Sequence, residues 1–510
     1  MLASDRTGSA SRGVSDALVM LLAVSTVARV ALAGLLDLGQ DESYALAISR
    51  SFQLSFFDHS PIAFWIAGLM QALAGRDVTP ILLRLPFVLM FSVSTWALYE
   101  LTRRLFTERA GLWAAGLLTT APFFFASAGS FVVPDGPLVL FLLLASIPLA
   151  TIVFDPSDNP HWRDWLLAGL ALGLAMLSKY QAMLTLLGAL AYLAASPRNR
   201  RWLARPQPYV AAALALLVFA PVLIWNAQND WVSFAFQLGR GGDGHHGLDP
   251  LSLLRGVLGE ALYLQPWTLV ALVAAIIVAA RGSSAARFCL ALALPAIVLF
   301  NLLPLLGSPG LPHWSMAGWL FLFPALGQVL ARARDTTKRW PLALVTLSAI
   351  VLIAVAGAFV LLASDHRIAD VSPDLDRSLI EATSWNGMRD GIAQSGALDR
   401  PHTFLAAMSW LDGAHLAEAL RPESPPVVLG DDPRSFAFLD GPAHHVGEDA
   451  LLAVTPGELA GTGTFLATHF DSVETIGTFE TAKGGFPAYS HIVLLAHNFR
   501  GGVTPSYGLR

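Results

Sequence analysis

The amino-acid sequence predicts an all-α polytopic membrane protein with about 11 transmembrane helices and a small C-terminal α/β domain. Of its 510 residues, 55% are hydrophobic and only 14% are charged, against about 25% charged residues in ordinary soluble domains. The charge is also unevenly distributed: residues 1–365 carry 23 basic and 19 acidic side chains, and residues 366–510 carry 9 and 18. The chain therefore divides into a cationic membrane module and an acidic soluble domain.

Apolar runs repeat through the first 365 residues at lengths that suit a bilayer core of about 30 Å. The run from 165 to 195 is interrupted by Lys179 and Tyr180, which favours a hairpin of two short helices. The stretch from Pro61 to Gly75 is short for a span and is typical of an interfacial or re-entrant helix. The eleven predicted spans lie near 15–36, 80–102, 110–128, 136–154, 165–178, 181–196, 207–226, 262–280, 287–306, 313–331 and 341–363.

Basic residues predict the orientation in the membrane. Sixteen of the 23 basic residues lie in the N-terminal tail or in loops on the same predicted side, which favours a cytoplasmic N-terminus. An odd number of spans then places the first loop, residues 37–79, and the domain of residues 366–510 outside. A cleaved signal peptide is disfavoured because Arg29 interrupts the first apolar run.

Short β-rich runs predict the α/β character of residues 366–510. A helix-compatible stretch, Gly413–Arg421, separates the first two runs and favours a βαβ arrangement. The predicted strands are Thr403–Trp410, Pro426–Gly430, Gly463–Ala467 and His491–Ala496.

Several classes of function are excluded or weakly supported. The single Cys289 excludes an intrachain disulfide and a cysteine-based metal site. Only three lysines and no stripe of basic and aromatic residues argue against a nucleic-acid partner. The adjacent His245 and His246 lack the spaced partners of a metal site. No cofactor is required, with a divalent cation left open as an alternative.

Most unusual polar residues of the membrane module map to predicted exterior loops or outer helix ends. A transporter more often carries ionisable groups at the membrane midplane. The pattern therefore favours a site at the exterior surface of the membrane that the protein spans, covered by the soluble domain. The residues are Asp41, Glu42, Tyr44, Asp58, His59, Asp135, Lys179, Tyr180, Asn226, Asp230, His245, His246 and His313.

Two acidic residues, Asp41 and Glu42, directly follow the first predicted span. They either cap a helix or supply a general base at the membrane face. In the next motif, Phe57–Pro61, the aromatic residues suit an interfacial anchor, whereas His59 suits a hydrogen bond to a phosphate or a sugar hydroxyl.

Lys179 is costly in the middle of an apolar run unless it snorkels or binds an anion, and anion binding is favoured. Asp135 is either a turn residue or a functional acid. His313-Trp314 suits an interface anchor, and the Gly-rich segment 240–247 suits a flexible lid.

The order of these motifs resembles that of the GT-C glycosyltransferases that use polyprenyl-phosphate-linked sugars. This superfamily includes dolichyl-phosphate-mannose protein mannosyltransferases, bacterial aminoarabinose–lipid A transferases and rhizobial lipid A galacturonosyltransferases. The motifs are Asp41-Glu42 with Tyr44, Phe57–Pro61, Asp135-Gly136-Pro137, Ser178-Lys179-Tyr180, Trp225–Trp231 and His313-Trp314.

The resemblance implies a GT-C fold, with Asp41 as the catalytic carboxylate beside Glu42 and Lys179 as a ligand of the donor phosphate. Aminoarabinose transferases have a lysine where this chain has His59, displaced by the extra Ser60. The resemblance therefore does not identify which residue supplies a second phosphate-binding cation. Tyr180, Arg240 and Arg255 are the further candidates for donor phosphate binding, and Tyr44, Asp58, His59, Asp135 and His313 are the candidates for the substrate cavity.

The resemblance also implies a bacterial inner-membrane protein with a periplasmic tail, acting as a monomer. Its partners would be a polyprenyl-phosphate sugar and a lipid, glycan or protein acceptor. In an inverting transfer a carboxylate deprotonates the acceptor hydroxyl and cations stabilise the leaving phosphate, so a metal is not required. A transporter or flippase for a lipid-linked sugar and a glycan-binding assembly protein are the alternatives.

Overall fold

The described residues form two compact units. One unit draws on residues 1–33, 59–62 and 84–355, and the other on residues 34–58, 63–83 and 356–510. The second unit therefore combines the segment after the first predicted span with the C-terminal tail. The boundary predicted between residues 365 and 366 lies outside the described residues. The computed structural model describes residues 2–75, 77–155, 162–239, 247–308, 310–335, 339–364, 385, 387–397, 400–483, 486–503 and 507.

The described part of the chain up to residue 364 is built from helices. Side-chain caps begin three of them, because Thr107, Asp249 and Ser283 each accept a hydrogen bond from the backbone N–H three residues later. The helices are α1 (Leu2–Leu35), α2 (Gln40–Ile48), α3 (Ile62–Ala74), α4 (Pro80–Leu105), α5 (Glu108–Thr120), α6 (Asp135–Phe154), α7 (Trp162–Ser178), α8 (Ala182–Ala195), α9 (Gln207–Gln228), α10 (Val232–Gly239), α11 (Pro250–Leu264), α12 (Pro266–Arg281), α13 (Ser284–Leu305), α14 (Phe323–Asp335) and α15 (Trp340–Ser364). A π-helix spans Phe123–Ser127, and short helical turns span Ala128–Ser130, Arg200–Ala204, Pro312–Ser315, Met316–Trp319 and Leu320–Leu322.

Among the described residues, seven helices are long and apolar enough to cross a membrane, and two bent pairs raise the number to nine. The prediction of eleven spans is larger because it counted two segments that form short helices. These are α7 with 17 residues and α8 with 14, against about 20 residues for a standard span. The interfacial stretch predicted at 61–75 forms α3, with 13 residues.

The two bends share one buried side chain, Gln265. Its φ of 71° lies in the left-handed region, and α11 and α12 meet there at 106°. The Gln265 Nε2 donates to the backbone oxygens of Thr120, at 3.2 Å, and Ser348, at 2.8 Å. Thr120 ends α5, where the second bend, of 86°, begins. These two hydrogen bonds stabilise a backbone conformation that costs a non-glycine residue of order 1–3 kcal/mol.

Close packing of glycines orients α7, the helix that Lys179 follows. A Cβ at Gly169 would lie 2.3 Å from the backbone oxygen of Ala211 on α9, and one at Gly173 would lie 2.8 Å from that of Ala215. Only residues without a side chain permit helices to approach so closely. The end of α7 is therefore held firmly against α9.

The C-terminal domain, residues 366–510, is called the tail. Its described residues form a five-stranded sheet with the strand order β2-β1-β3-β5-β4. Strands β1, β2 and β3 are parallel, and β5 pairs antiparallel with both β3 and β4. The elements are α16 (Gly387–Gln394), β1 (Thr403–Ala407), α17 (Trp410–Leu420), β2 (Val427–Val428), β3 (Asp449–Val454), α18 (Leu459–His469), β4 (Ser472–Lys483) and β5 (Phe486–His497), with short helical turns at Arg434–Phe438 and Pro442–His445.

The βαβ arrangement predicted for this domain is present, because α17 connects the parallel strands β1 and β2. The strand predicted at Gly463–Ala467 is wrong. This segment lies inside α18, where Thr462 and Leu466 are buried. Their spacing of four residues places both on one face of a helix. Strands β3 and β4 were not predicted.

Burial of His491 on β5 makes the stability of the tail depend on pH. The side chain is fully buried, and the Trp385 ring lies 4.2 Å from it between centroids. Burial lowers the pKa of His491 to about 4 from 6.5. The unfolded chain therefore takes up a proton first, and we expect stability on the order of 3 kcal/mol to be lost as the pH falls from 6.5 towards 4.

Hydrogen exchange of β5 in the full chain, corrected for intrinsic rates, measures this effect at pH 7 and pH 5. The His491→Phe variant should lose most of the pH dependence. The exposed His444 provides the matched control, as His444→Gln should behave like the wild type. An unchanged pH response of His491→Phe would show that another group controls it.

Candidate functional site

The two acidic residues after α1 have different surroundings. Helix α2 begins at Gln40, and the Glu42 carboxylate accepts a hydrogen bond from the Gly39 backbone N–H at 3.1 Å. Glu42 is 3% exposed, whereas the Asp41 side chain is exposed in the first turn. Glu42 therefore caps the helix, and Asp41 carries the carboxylate that the cap does not use.

Tyr44 and Asp58, two of the predicted cavity residues, lie together in the interior of the second unit. The Tyr44 hydroxyl donates to Asp58 Oδ1 at 3.0 Å and accepts from the Ser435 backbone N–H at 3.1 Å. Tyr44 and Asp58 are 3% and 1% exposed. Burial and the Asp58 carboxylate raise the pKa of Tyr44 well above its ordinary value. Tyr44 is therefore a neutral hydrogen-bond donor that connects the first loop to the tail.

In the first unit, Lys179 forms a buried ion pair with Asp135. The Lys179 ammonium lies 2.9 Å from Oδ1 and 3.0 Å from Oδ2 of Asp135, and the two residues are 8% and 7% exposed. Asp135 begins α6 and Lys179 directly follows α7. His313 and His59 also act electrostatically on the Asp135 carboxylate. The structure thus brings together Asp135, Lys179, His59 and His313, four of the predicted site residues.

Tyr180 points to different partners. Its hydroxyl hydrogen-bonds the Ser233 hydroxyl at 2.8 Å, and its ring meets Phe219 and Phe234 edge-on at 6.2 and 5.5 Å. These contacts make Tyr180 a link between α9 and α10.

The candidates for a second phosphate-binding cation lie in or before α11. Arg255 is exposed on α11. Arg240 lies outside the described residues, as do His245 and His246. Among the residues that the structure describes, no group of three or more His, Cys, Asp or Glu side chains is placed to hold a metal ion.

Sequence reasoning missed Glu260, a buried carboxylate on α11 with 4% exposure. It accepts hydrogen bonds from the Asn301 amide, at 3.0 Å, and from the Ser315 hydroxyl. One signal was available, since Glu260 is the only acidic residue between Asp249 and Asp335. An ionisable residue in an apolar helix marks a functional candidate.

Sequence reasoning also left Arg29 without a role beyond its position on the first span. Its side chain is fully buried, and its guanidinium lies over the rings of Phe91, at 4.6 Å, and Phe125, at 5.1 Å. These cation–π contacts stabilise a charge inside an apolar helix bundle. Because Phe125 belongs to the π-helix, Arg29 also connects α1 to that irregular segment.

The comparisons with known proteins agree with the fold and with the motifs. The family model described as dolichyl-phosphate-mannose-protein mannosyltransferase matches residues 58–225. The resemblance to the GT-C superfamily that the sequence motifs indicated is thereby confirmed.

Particular relatives extend this comparison. The lipid A galacturonosyltransferase RgtD of Rhizobium johnstonii is 25% identical over 194 residues, which cover 38% of this chain and 39% of that protein. The chain thus spans about two fifths of the length of this curated relative. The crystal structure of ArnT from Cupriavidus metallidurans bound to undecaprenyl phosphate is 16% identical, with a TM-score of 0.64 over 93% of this chain and 97% of that one. Its apo form gives 15% identity and a TM-score of 0.62 over the same shares.

Proposed function

We propose that the protein is an integral-membrane glycosyltransferase that transfers a sugar from a polyprenyl-phosphate carrier to an acceptor hydroxyl. The transfer takes place at the extracytoplasmic face of the membrane. The observation that carries the proposal is that the two acidic residues at the start of α2 have different surroundings. Glu42 supplies the helix cap and Asp41 presents an exposed carboxylate. Helix capping therefore accounts for Glu42 and not for Asp41.

In the proposed reaction, Asp41 is the general base. It removes the proton of the acceptor hydroxyl as the acceptor oxygen attacks the anomeric carbon of the sugar. The bond between that carbon and the phosphate oxygen breaks, and its electron pair leaves with the polyprenyl phosphate. Attack opposite the leaving group inverts the configuration of the anomeric carbon.

Lys179 is the proposed ligand of the donor phosphate. Its ammonium has three N–H donors, and Asp135 accepts from it through both carboxylate oxygens. Asp135 pairs with the ammonium and orients it in apolar surroundings, where an unpaired cation would be costly. A third N–H then serves the phosphate oxygen, which gains negative charge as the sugar leaves.

The relatives suggest the acceptors to test first. RgtD is named as a lipid A transferase, and one ArnT structure contains undecaprenyl phosphate. We therefore propose undecaprenyl phosphate as the carrier and lipid A as the first acceptor, with glycans and proteins as alternatives. The protein would act as a monomer in a bacterial inner membrane, with its tail in the periplasm.

A direct assay tests this proposal. Purified protein in lipid nanodiscs is supplied with radiolabelled undecaprenyl-phosphate sugars and lipid A, and mass spectrometry detects the product. We expect a labelled lipid A, and an unmodified lipid A in a deletion strain. In sealed vesicles that contain the purified protein, movement of the labelled lipid across the membrane without sugar transfer would indicate a transporter instead of an enzyme.

A further inference from the structure

We propose that the tail domain holds helix α2, and through it Asp41, in the orientation that catalysis requires, with Glu418 and Ser435 as positioning residues. This inference rests on the proposed function of Asp41. It assigns the tail a role inside the catalytic apparatus, and all of its supporting contacts lie within the second unit.

Helix α2 is too short to be more than marginally stable in isolation. It has nine residues, and isolated helices shorter than about 12–15 residues are marginal in water. Its residues from Glu42 to Ile48 are buried, so packing against the rest of the unit supplies its stability. The packing of these residues therefore helps to orient Asp41 at the exposed start of the helix.

Helix α2 packs against the edge of the tail sheet where the parallel strands have their carboxyl ends. In open α/β sheets, ligands bind at the carboxyl ends of parallel strands. Here Trp410 follows β1, and the Tyr44 ring of α2 meets it at 5.2 Å between centroids. Phe436, which comes after β2, lies 5.8 Å from the same ring. The chain's own first loop thus occupies the edge where a separate ligand would be expected.

Ser435 contacts two separate parts of the first loop. Its backbone N–H donates to the Tyr44 hydroxyl at 3.1 Å, and its Oγ accepts from the Phe57 backbone N–H at 3.2 Å. The same Oγ lies 3.4 Å from Asp58 Oδ1, to which it donates. Ser435 is 1% exposed. One tail residue therefore ties α2 to the Phe57–Asp58 motif.

Glu418 contacts the first turn of α2, close to Asp41 in the chain. Its Oε2 accepts from the Ser43 hydroxyl at 3.1 Å, and Ser43 is only two residues beyond Asp41. Both partners are buried, at 3% and 0% exposure. A buried hydrogen bond to a carboxylate is strong and directional. Glu418 on α17 therefore sets the rotation of the first turn of α2.

Arg434 strengthens the same edge. Its guanidinium stacks on Trp410 at 3.8 Å and lies 3.5 Å from Asp58 Oδ2. Its φ of 44° is in the left-handed region, a strained conformation for a residue with a side chain.

Just beyond the C-terminal end of α2, Arg50 donates to the backbone oxygens of Pro422, at 2.5 Å, and Ala417, at 3.3 Å. The tail thus contacts both ends of the helix.

Enzyme kinetics on the full chain test this inference. We expect Glu418→Ala and Ser435→Ala each to lower kcat about 10- to 100-fold while the KM for the undecaprenyl-phosphate sugar changes less than threefold. Glu418→Gln, which keeps an acceptor oxygen, should recover most of the loss. The exposed Thr464→Ala on α18 is the matched control and should keep wild-type kcat.

The mild variant Ser43→Ala keeps the test decisive if the others fold poorly. Ser43→Ala and Glu418→Ala should not lower kcat additively when combined, because each removes the same contact. Unchanged kcat in folded variants would overturn the inference, as would a loss of kcat that only follows the loss of folded protein. If these variants are fully active while Asp41→Asn is inactive, the positioning role fails and the proposed function stands. Absence of transfer by the wild type would instead reject the proposed function.

Discussion

Replacing Asp41 with Asn will reduce sugar transfer by about 10²- to 10⁴-fold, the range that a positioned general base contributes. Asparagine has nearly the same shape but cannot take up the acceptor proton. Because Asp41 is exposed and Glu42 forms the helix cap, the change leaves the capping hydrogen bond of α2 intact. The melting temperature should therefore stay close to that of the wild type.

Transfer assays and thermal melting on the same preparations provide the measurement. Asp16→Asn is the matched control, since Asp16 is an exposed aspartate towards the opposite end of the first span. It should retain full activity. A fully active Asp41→Asn enzyme would remove Asp41 from the mechanism.

Replacing Lys179 with Gln will both destabilise the protein and weaken donor binding. The single change leaves the Asp135 carboxylate buried without its ammonium partner, which costs about 3–5 kcal/mol. It also removes the proposed phosphate ligand. A charge-assisted hydrogen bond of this kind contributes roughly 10- to 100-fold in affinity.

The double variant Lys179→Gln with Asp135→Asn separates the two effects. Two neutral amides can hydrogen-bond each other, so the melting temperature should largely recover. Affinity for undecaprenyl phosphate, measured by calorimetry in nanodiscs, should remain weak. Wild-type affinity in the double variant would mean that the pair is structural and that another cation binds the donor.

The apolar helices were predictable because hydropathy is a local property of the chain. Each predicted span coincides with a helix, with a bent pair of helices or, at 313–331, with short helical turns that continue into α14. The bends themselves were not predictable, because the left-handed conformation of Gln265 depends on backbone oxygens of Thr120 and Ser348, which are 145 and 83 residues away. The strand expected at Gly463–Ala467 failed for a related reason, as short apolar runs suit both strands and helices.

The candidate site shows the same division. The sequence identified Lys179 as a cation that needed an anion, and the structure provides Asp135, 44 residues earlier in the chain. The sequence grouped Tyr44 and Asp58 with the substrate cavity. The structure buries their hydrogen bonds against Ser435, which is 391 residues from Tyr44. No pattern in the first loop could reveal a partner so distant.

By itself the sequence determined the membrane class of the protein, the positions of its helices and the order of its motifs. These depend on side-chain polarity and on spacing over tens of residues. Only the tertiary structure decided which acid caps α2, which anion pairs with Lys179 and which tail residues hold the first loop. Such pairings depend on burial, where a polar group that lacks a partner costs several kcal/mol. The chain therefore satisfies them between segments that are hundreds of residues apart.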